Sequence, residues 1–236
     1  MDETLIVVGA GGLGCAVLPS LARLGRPIRV YDDDRVSLGN LQRQILFATA
    51  DVGRPKAEVA AERVLALVPG ARIEARVERL GVANLPAVLA EAALVVDGSD
   101  NFPTRFLVND ACVLAGVPLV HGGILRFTGQ VMTVLPGRTA CYRCLFEDLP
   151  PAGAVPSCAE AGVLGALCGI VGARMVEEAR AILEGRPRGD ALWVHDARNH
   201  RSRIVPLHRD LECAVCGEAP TIERLEAARY VEVRAA

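Results

Sequence analysis

The sequence predicts an α/β fold: a doubly wound, mostly parallel sheet with helices on both faces, followed by a mixed C-terminal half. Three observations predict it. Short apolar runs alternate with longer helix-patterned stretches over roughly the first half of the chain. Strands that read as unbroken apolar runs are buried on both faces, as crossover helices bury them. The first run ends in a glycine-rich turn, Gly9-Ala10-Gly11-Gly12-Leu13-Gly14, and the alternation stops after about residue 125.

Taken in order, Leu5 to Val8 reads as the first buried strand. Leu13 to Leu24 has helical spacing and stops near Gly25. Ile28 to Tyr31 is the second strand and runs into Asp32. Lys56 to Val68 is an amphipathic helix, Arg72 to Val77 alternates as a third strand, and Leu94 to Asp97 is a fourth, ahead of Gly98-Ser99-Asp100-Asn101. Thr104 to Ala115 is helical, and Pro118 to Val120 opens a fifth strand. Beyond residue 125, Gln130 to Leu135 and Leu192 to His195 read as strands of an antiparallel or mixed half, and Leu164 to Leu183 as a long apolar helix. Residues 147–157 are too rich in proline and small residues for regular structure and read as a mobile loop. Ile222 to Tyr230 reads as helical. In an open sheet of this kind ligands sit beyond the carboxyl ends of the strands. The glycine turn, Asp32 and Asp100 all fall at such ends and converge on one crevice.

Composition narrows the class. Of 236 residues 51% are hydrophobic and only 4% aromatic, enough for a sizeable core of Ala, Val and Leu. A net charge of −2 argues against nucleic acid as partner. The sequence carries no signal peptide or apolar span of membrane length, so the expected location is the cytoplasm. Twenty-five arginines stand against a single lysine, Lys56. Arginine replaces lysine freely on a solvated surface, but not where a compact ammonium must fit; Lys56 is therefore a candidate functional residue.

The segment Asp32 to Gln44 decides which nucleotide the glycine turn serves. A dinucleotide site needs one acid for the ribose about 20 residues after the glycines. Here Asp32 is followed by Asn40, Arg43 and then Lys56. That run of polar and cationic groups suits a triphosphate, so ATP is the expected ligand. The four histidines, 121, 195, 200 and 208, are scattered and read as structural or solvated.

Eight cysteines are present, four of them in two Cys-x-x-Cys pairs, Cys141/Cys144 and Cys213/Cys216. In a cytosolic chain two such pairs predict a closed, tetrahedral four-cysteine zinc site rather than disulfides. It would pin the C-terminal region back onto the middle of the chain. Cys15, Cys112 and Cys168 sit in apolar helical contexts and read as inert packing. Cys158 stands between a loop and a helix start, a position that suits a reactive thiol.

Residues 9–14, 32–44, 54–56, 97–101, the two cysteine pairs and 156–165 together resemble the ThiF/MoeB/HesA family, bacterial relatives of ubiquitin-activating enzymes. The segment Cys141-Tyr142-Arg143-Cys144-Leu145-Phe146 and the stretch Ser157 to Gly165 look most like the MoeB branch. The resemblance implies a single Rossmann-like adenylation domain: a nucleotide-binding half (1–125), a carrier-binding and zinc half (126–217) and a short tail (218–236). It implies ATP-dependent adenylation of the C-terminal Gly-Gly carboxylate of a small ubiquitin-like sulfur carrier protein, MoaD-like or else ThiS-like, with release of pyrophosphate. Carried over, Gly9, Gly11 and Gly14 shape the turn under the nucleotide and Asp32 holds the ribose. Asn40, Arg43 and Lys56 contact phosphates, and Asp100, beside Asn101, binds Mg²⁺. Cys141, Cys144, Cys213 and Cys216 hold Zn²⁺. Cys158 matches the cysteine that links covalently to the carrier in some members, and Arg126 and Gln130 are candidates for the carrier's tail.

The family usually carries, before the first strand, a helix with an Arg-Tyr-x-Arg-like segment whose arginine reaches across a homodimer. Here Met1-Asp2-Glu3-Thr4 alone precede Leu5. Either the reading frame starts late, or the charge comes from elsewhere, or activity is reduced. No rhodanese domain follows, so a separate protein is expected to donate sulfur. Two rival readings remain open at this point: an NAD-dependent oxidoreductase on the same turn, and a catalytically weakened module that binds ATP and carrier only.

Overall fold

The computed structural model describes residues 4–151, 153–154 and 162–231. Its centre is one eight-stranded sheet. Five strands run parallel: β1 (Thr4–Val8), β2 (Ile28–Tyr31), β3 (Ile73–Arg76), β4 (Ala92–Asp97) and β5 (Leu119–Leu125). Three more, β6 (Thr128–Val134), β7 (Ala191–Asp196) and β8 (Arg201–Pro206), continue it antiparallel. The spatial order is β3-β2-β1-β4-β5-β6-β7-β8. The chain winds outward from β1 to β3, returns beside β1 with β4, and winds the other way. The reversal between β1 and β4 leaves a crevice at their carboxyl ends. The mixed second half is as the sequence predicts.

The alternation of side chains along β1 builds two cores. Leu5 and Val7 point into one with α1 (Gly12–Ala22), α2 (Lys56–Leu67) and α6 (Gly165–Leu183). Ile6 and Val8 point into the other with α4 (Phe102–Ala115) and the short α3 (Leu85–Leu89). The cysteine pairs close the second core, with α5 (Tyr142–Leu145) as a single turn between the first two. Helix α4 has strong local signals: the Asn101 side chain accepts the Thr104 N–H (2.9 Å), Pro103 fills the first turn, and Gly116 ends the helix at φ +71°.

Two expectations need correction. Ile222 to Tyr230 is not a helix: only Ala227–Tyr230 forms a single 3-10 turn. Ile222 and Tyr230 are buried because each is an anchor. The Ile222 N–H donates to the Ala214 carbonyl and the Tyr230 hydroxyl to Asp110. The apolar spacing reflects two attachment points of an irregular segment. Strand β8 was not foreseen, because five of its six residues are exposed and no face alternates. In the 147–157 segment the described residues form no helix or strand. Residues 152 and 155–157, like Cys158, lie outside the described residues.

Candidate active site

The turn after β1 is built by close backbone approach. Gly9 has φ +86°, and a Cβ there would stand 3.3 Å from the Gly98 carbonyl oxygen. At Gly14 a Cβ would stand 2.0 Å from the Gly9 oxygen, so no side chain fits. Gly11 caps α1, and Gly11, Gly12 and Leu13 at the start of that helix line the crevice. Asp32, at the end of β2, accepts the Ala10 N–H (2.7 Å) and the Asp34 N–H (2.8 Å). Burial raises its carboxyl pKa, against the pull of Lys56 and the two N–H groups. Asp32 thus ties the second strand to the glycine turn with a fixed carboxylate.

The loop between β2 and α2 supplies the cations. Arg43 donates to the Asn40 side-chain oxygen (2.9 Å). Lys56 opens α2 with its side chain 6% exposed, and its ammonium bonds the exposed Asp34 carboxylate (2.7 Å). A buried ammonium in the first turn of a helix works against the helix dipole, so packing alone does not favour it. Asp51 closes this loop: its buried carboxylate accepts the Ala48 N–H and hydrogen bonds from Arg54 and Arg63, all at 2.9–3.1 Å.

After β4, Asp100 is exposed, while Asn101 is half-buried and spends its oxygen on α4. Two adjoining cavities, about 260 and 190 Å³, share Gly9, Asp32, Asp34, Ser99 and Asp100. The larger also takes in Gly11, Asn40, Arg43, Lys56 and Arg105; the smaller is walled by Tyr31, Glu78, Arg79, Leu80 and Asn101. Gly14 alone among the foreseen nucleotide-side residues does not line them; its place is under the turn. One lobe is therefore rich in cations and the other in acids, where Asp33 and Glu78 join the shared Asp32, Asp34 and Asp100. Buried Gln44 Oε1 and Ser99 Oγ have no hydrogen-bond partner among the described residues. Unpaired polar atoms in a cleft are the mark of a site made for a polar ligand.

Sequence reasoning missed Arg105, Ser99 and Gln44. Arg105 is buried and donates to the Ser99 carbonyl (3.0 Å). The spacing Asp100-Asn101-x-x-x-Arg105 held the signal: a helix cap followed by an arginine one turn on. Arg126 and Gln130 lie apart from both cavities. Arg126 sits at φ +54° on the exposed tip of the β5–β6 hairpin, and Gln130 packs against Gly123.

The four predicted zinc ligands come together. Sulfur–sulfur separations are 3.6 Å for Cys141–Cys213, 3.4 Å for Cys144–Cys216 and 3.9 Å for Cys141–Cys144. All four lie within 4.8 Å of one another. Tetrahedral zinc at ~2.3 Å from each sulfur sets the edges at about 3.8 Å, whereas a disulfide needs ~2.05 Å. The Asp210 N–H points at Cys144 Sγ (3.4 Å). The set fits zinc with no ligand position left over. Cys15, Cys112 and Cys168 are buried as expected; burial pushes the Cys15 thiol up to about 12, which keeps it inert.

Residues 2–215 match the model of the ThiF family. The chain belongs to the ThiF family. Among its ThiF-type relatives is a protein named sulfur carrier protein adenylyltransferase, from Thermus thermophilus. It is 49% identical over 231 residues, covering 94% of this chain and 85% of the relative. A protein of Haloferax volcanii named SAMP-activating enzyme E1 is 44% identical over 235 residues, covering 98% and 86%. Among solved structures, E. coli MccB crystallised with MccA-N7isoASN superposes with TM-score 0.80 at 22% identity, over 92% of this chain and 68% of that one. At that identity it shares the fold. Among the described residues no helix is long and apolar enough to cross a membrane.

Proposed function

We propose that the protein is a nucleotidyltransferase that adenylates the C-terminal Gly-Gly carboxylate of a ubiquitin-like sulfur carrier protein with ATP, releasing pyrophosphate. The observation that carries this reading is a single cleft that gathers the glycine turn, Asp32, Arg43, Lys56, Arg105 and Asp100. A hydride-transfer site has no use for that much positive charge beside the ribose acid. The names of the Thermus and Haloferax relatives point the same way.

The chemistry asks little proton transfer of the protein. The attacking carboxylate is ionised at neutral pH, so no general base is required. What is required is to bring two anions together and to stabilise the departing pyrophosphate, by positioning and cationic neutralisation. Asp32 holds the ribose hydroxyls. Arg43 grips phosphate oxygens as a fork and Lys56 acts as a point charge. To reach a phosphate, Lys56 exchanges Asp34 for it. Gln44 and Ser99 supply the unpaired oxygens that accept from ligand hydroxyls or ordered water. Asp100, an exposed carboxylate at the mouth, suits Mg²⁺, which would neutralise phosphate charge when bound. Zinc at Cys141, Cys144, Cys213 and Cys216 is structural. Cys158 serves a later sulfur-transfer step, not adenylation. Exposed Leu38 and Ile45 flank the Asn40–Arg43 segment and give a homodimer apolar surface to bury.

A MoaD-like carrier is the reading favoured by the Cys141–Phe146 segment, with a ThiS-like carrier as the alternative. The test is intact-mass detection of carrier-adenylate after incubation with ATP and Mg²⁺, offering both carriers. Adenylate on either supports the activity, and the preferred one names the pathway. No adenylate on any Gly-Gly carrier contradicts it.

A further inference from the structure

Zinc sites of this kind are read as staples. Here the residues between the first two cysteines pack on α4, whose first turn lines the nucleotide cleft. The Tyr142 N–H donates to Asn109 Oδ1 (2.8 Å), and Arg143 clasps Asp110 through Nε (2.9 Å to Oδ1) and Nη2 (2.9 Å to Oδ2). Asn109 and Asp110 are fully buried and stand one helical turn beyond Arg105 on α4. The Tyr142 ring meets Phe106 edge-on, with centroids 5.2 Å apart, and His121 on β5 at 4.9 Å.

Two arms run from Tyr142 to Ser99. On one, the Tyr142 ring packs on Phe106, the neighbour of Arg105 on α4. The Arg105 guanidinium donates to the Ser99 carbonyl (3.0 Å). On the other, His121 Nδ1 bonds Asp97 Oδ2 (2.9 Å), and Asp97 Oδ1 accepts the Ser99 N–H (2.9 Å). Burial favours the neutral imidazole, while the His121 contact overrides the upward push of burial on Asp97 and keeps it ionised. Both peptide groups of Ser99 are thus held by side chains one step from those that Tyr142 packs on. Ser99 in turn precedes Asp100, and both line the cleft.

We propose that the four-cysteine site is coupled to the nucleotide cleft through Tyr142, a positioning residue that sets the Ser99–Asp100 turn by way of Arg105 and the His121–Asp97 pair. Zinc that fixes α5 fixes Tyr142, and a bound nucleotide that orders the turn holds Tyr142 against α4. This rests on the nucleotide reading above. Coupling between two binding sites is reciprocal, typically 5- to 150-fold. Nucleotide must therefore tighten zinc binding by as much as zinc tightens nucleotide.

The test starts from the zinc-loaded full chain. Zinc partitioning between the chain and a colour-reporting chelator is measured at equilibrium with and without a Mg²⁺-saturated, non-hydrolysable ATP analogue, whose binding is measured separately by calorimetry. The expected result is zinc held at least about fivefold more tightly with saturating analogue. Tyr142→Leu, which leaves the cysteines and the Arg143–Asp110 pair in place, should still bind one zinc and the analogue while that ratio falls toward one. Tyr142→Phe keeps the ring that meets Phe106 and His121 and should keep the ratio. Equal zinc affinities in the native protein, with the analogue shown to bind, overturn the coupling and leave the nucleotide reading standing. Failure of the analogue to bind overturns both. If Tyr142→Leu does not fold, the native ratio and Tyr142→Phe decide alone.

Discussion

Lys56 is buried, yet its ion-pair partner Asp34 is 70% exposed. Removing the ammonium leaves Asp34 to water, while Asp32, which Lys56 also favours as the carboxylate, keeps its two N–H donors. Lys56→Ala should lower carrier adenylation about 100-fold or more, the scale expected when one transition-state contact is lost, with little change in melting temperature. Asp100→Ala, at an exposed position, should behave likewise. Near-normal turnover in either variant, measured by pyrophosphate release, would remove that residue from the mechanism. Cys158→Ser should leave carrier-adenylate formation at the native level in the same assay. At this scale the sequence was informative where a residue type was unusual: the single lysine, the acid after β2, the paired cysteines. Arg105 escaped because arginine is abundant in this chain, and only a fold shows which of twenty-five lines the cleft.

The elements that position these groups divide into legible and illegible ones for a physical reason. Strands β1 to β5 are buried on both faces and read as apolar runs; α4 announces its ends by its cap, proline and glycine. Strand β8 rests on β7 alone at the sheet edge, so burial writes no pattern into it. The tail shows the converse, since two anchors imitate helical spacing. The loop from Asp32 to Lys56 is held by Asp51 rather than by regular structure. The Ala48 N–H first, then Arg63, keeps the Asp51 carboxyl below its usual range. Its folded-state pKa lies below the unfolded value of ~3.9. Its stabilisation is therefore complete above that value and is lost as pH falls through the folded pKa. Asp51→Asn should lower the melting temperature by several degrees at pH 7 and flatten its fall below about pH 4. Parallel pH curves for the two proteins, followed by circular dichroism, would show that Asp51 does not hold the loop.

At the scale of the whole molecule, the cysteine pairs join residues about 70 apart in sequence (Cys141 to Cys213, Cys144 to Cys216). They seal the second core against α4, with the tail anchored on Asp110 by Tyr230 (3.0 Å). Structural zinc contributes ~10–16 kcal/mol in isolated fingers; a fold with its own sheet depends on it less, but not negligibly. Verified zinc removal should lower the melting temperature markedly, and an unchanged melting curve would deny the site a structural role. The meeting of the four cysteines was legible from spacing. What it touches was not, because the contacts of Tyr142 and Arg143 with α4 join residues more than 30 positions apart.

The central claim is that one cleft lets a peptide's terminal carboxylate attack ATP. Exchange of labelled pyrophosphate into ATP, measured with Mg²⁺ and a Gly-Gly sulfur carrier, tests it most directly. The account predicts exchange that depends on the carrier and vanishes when its terminal carboxylate is replaced by an amide. Exchange that is absent with every carrier offered, or that ignores the amide substitution, would contradict it.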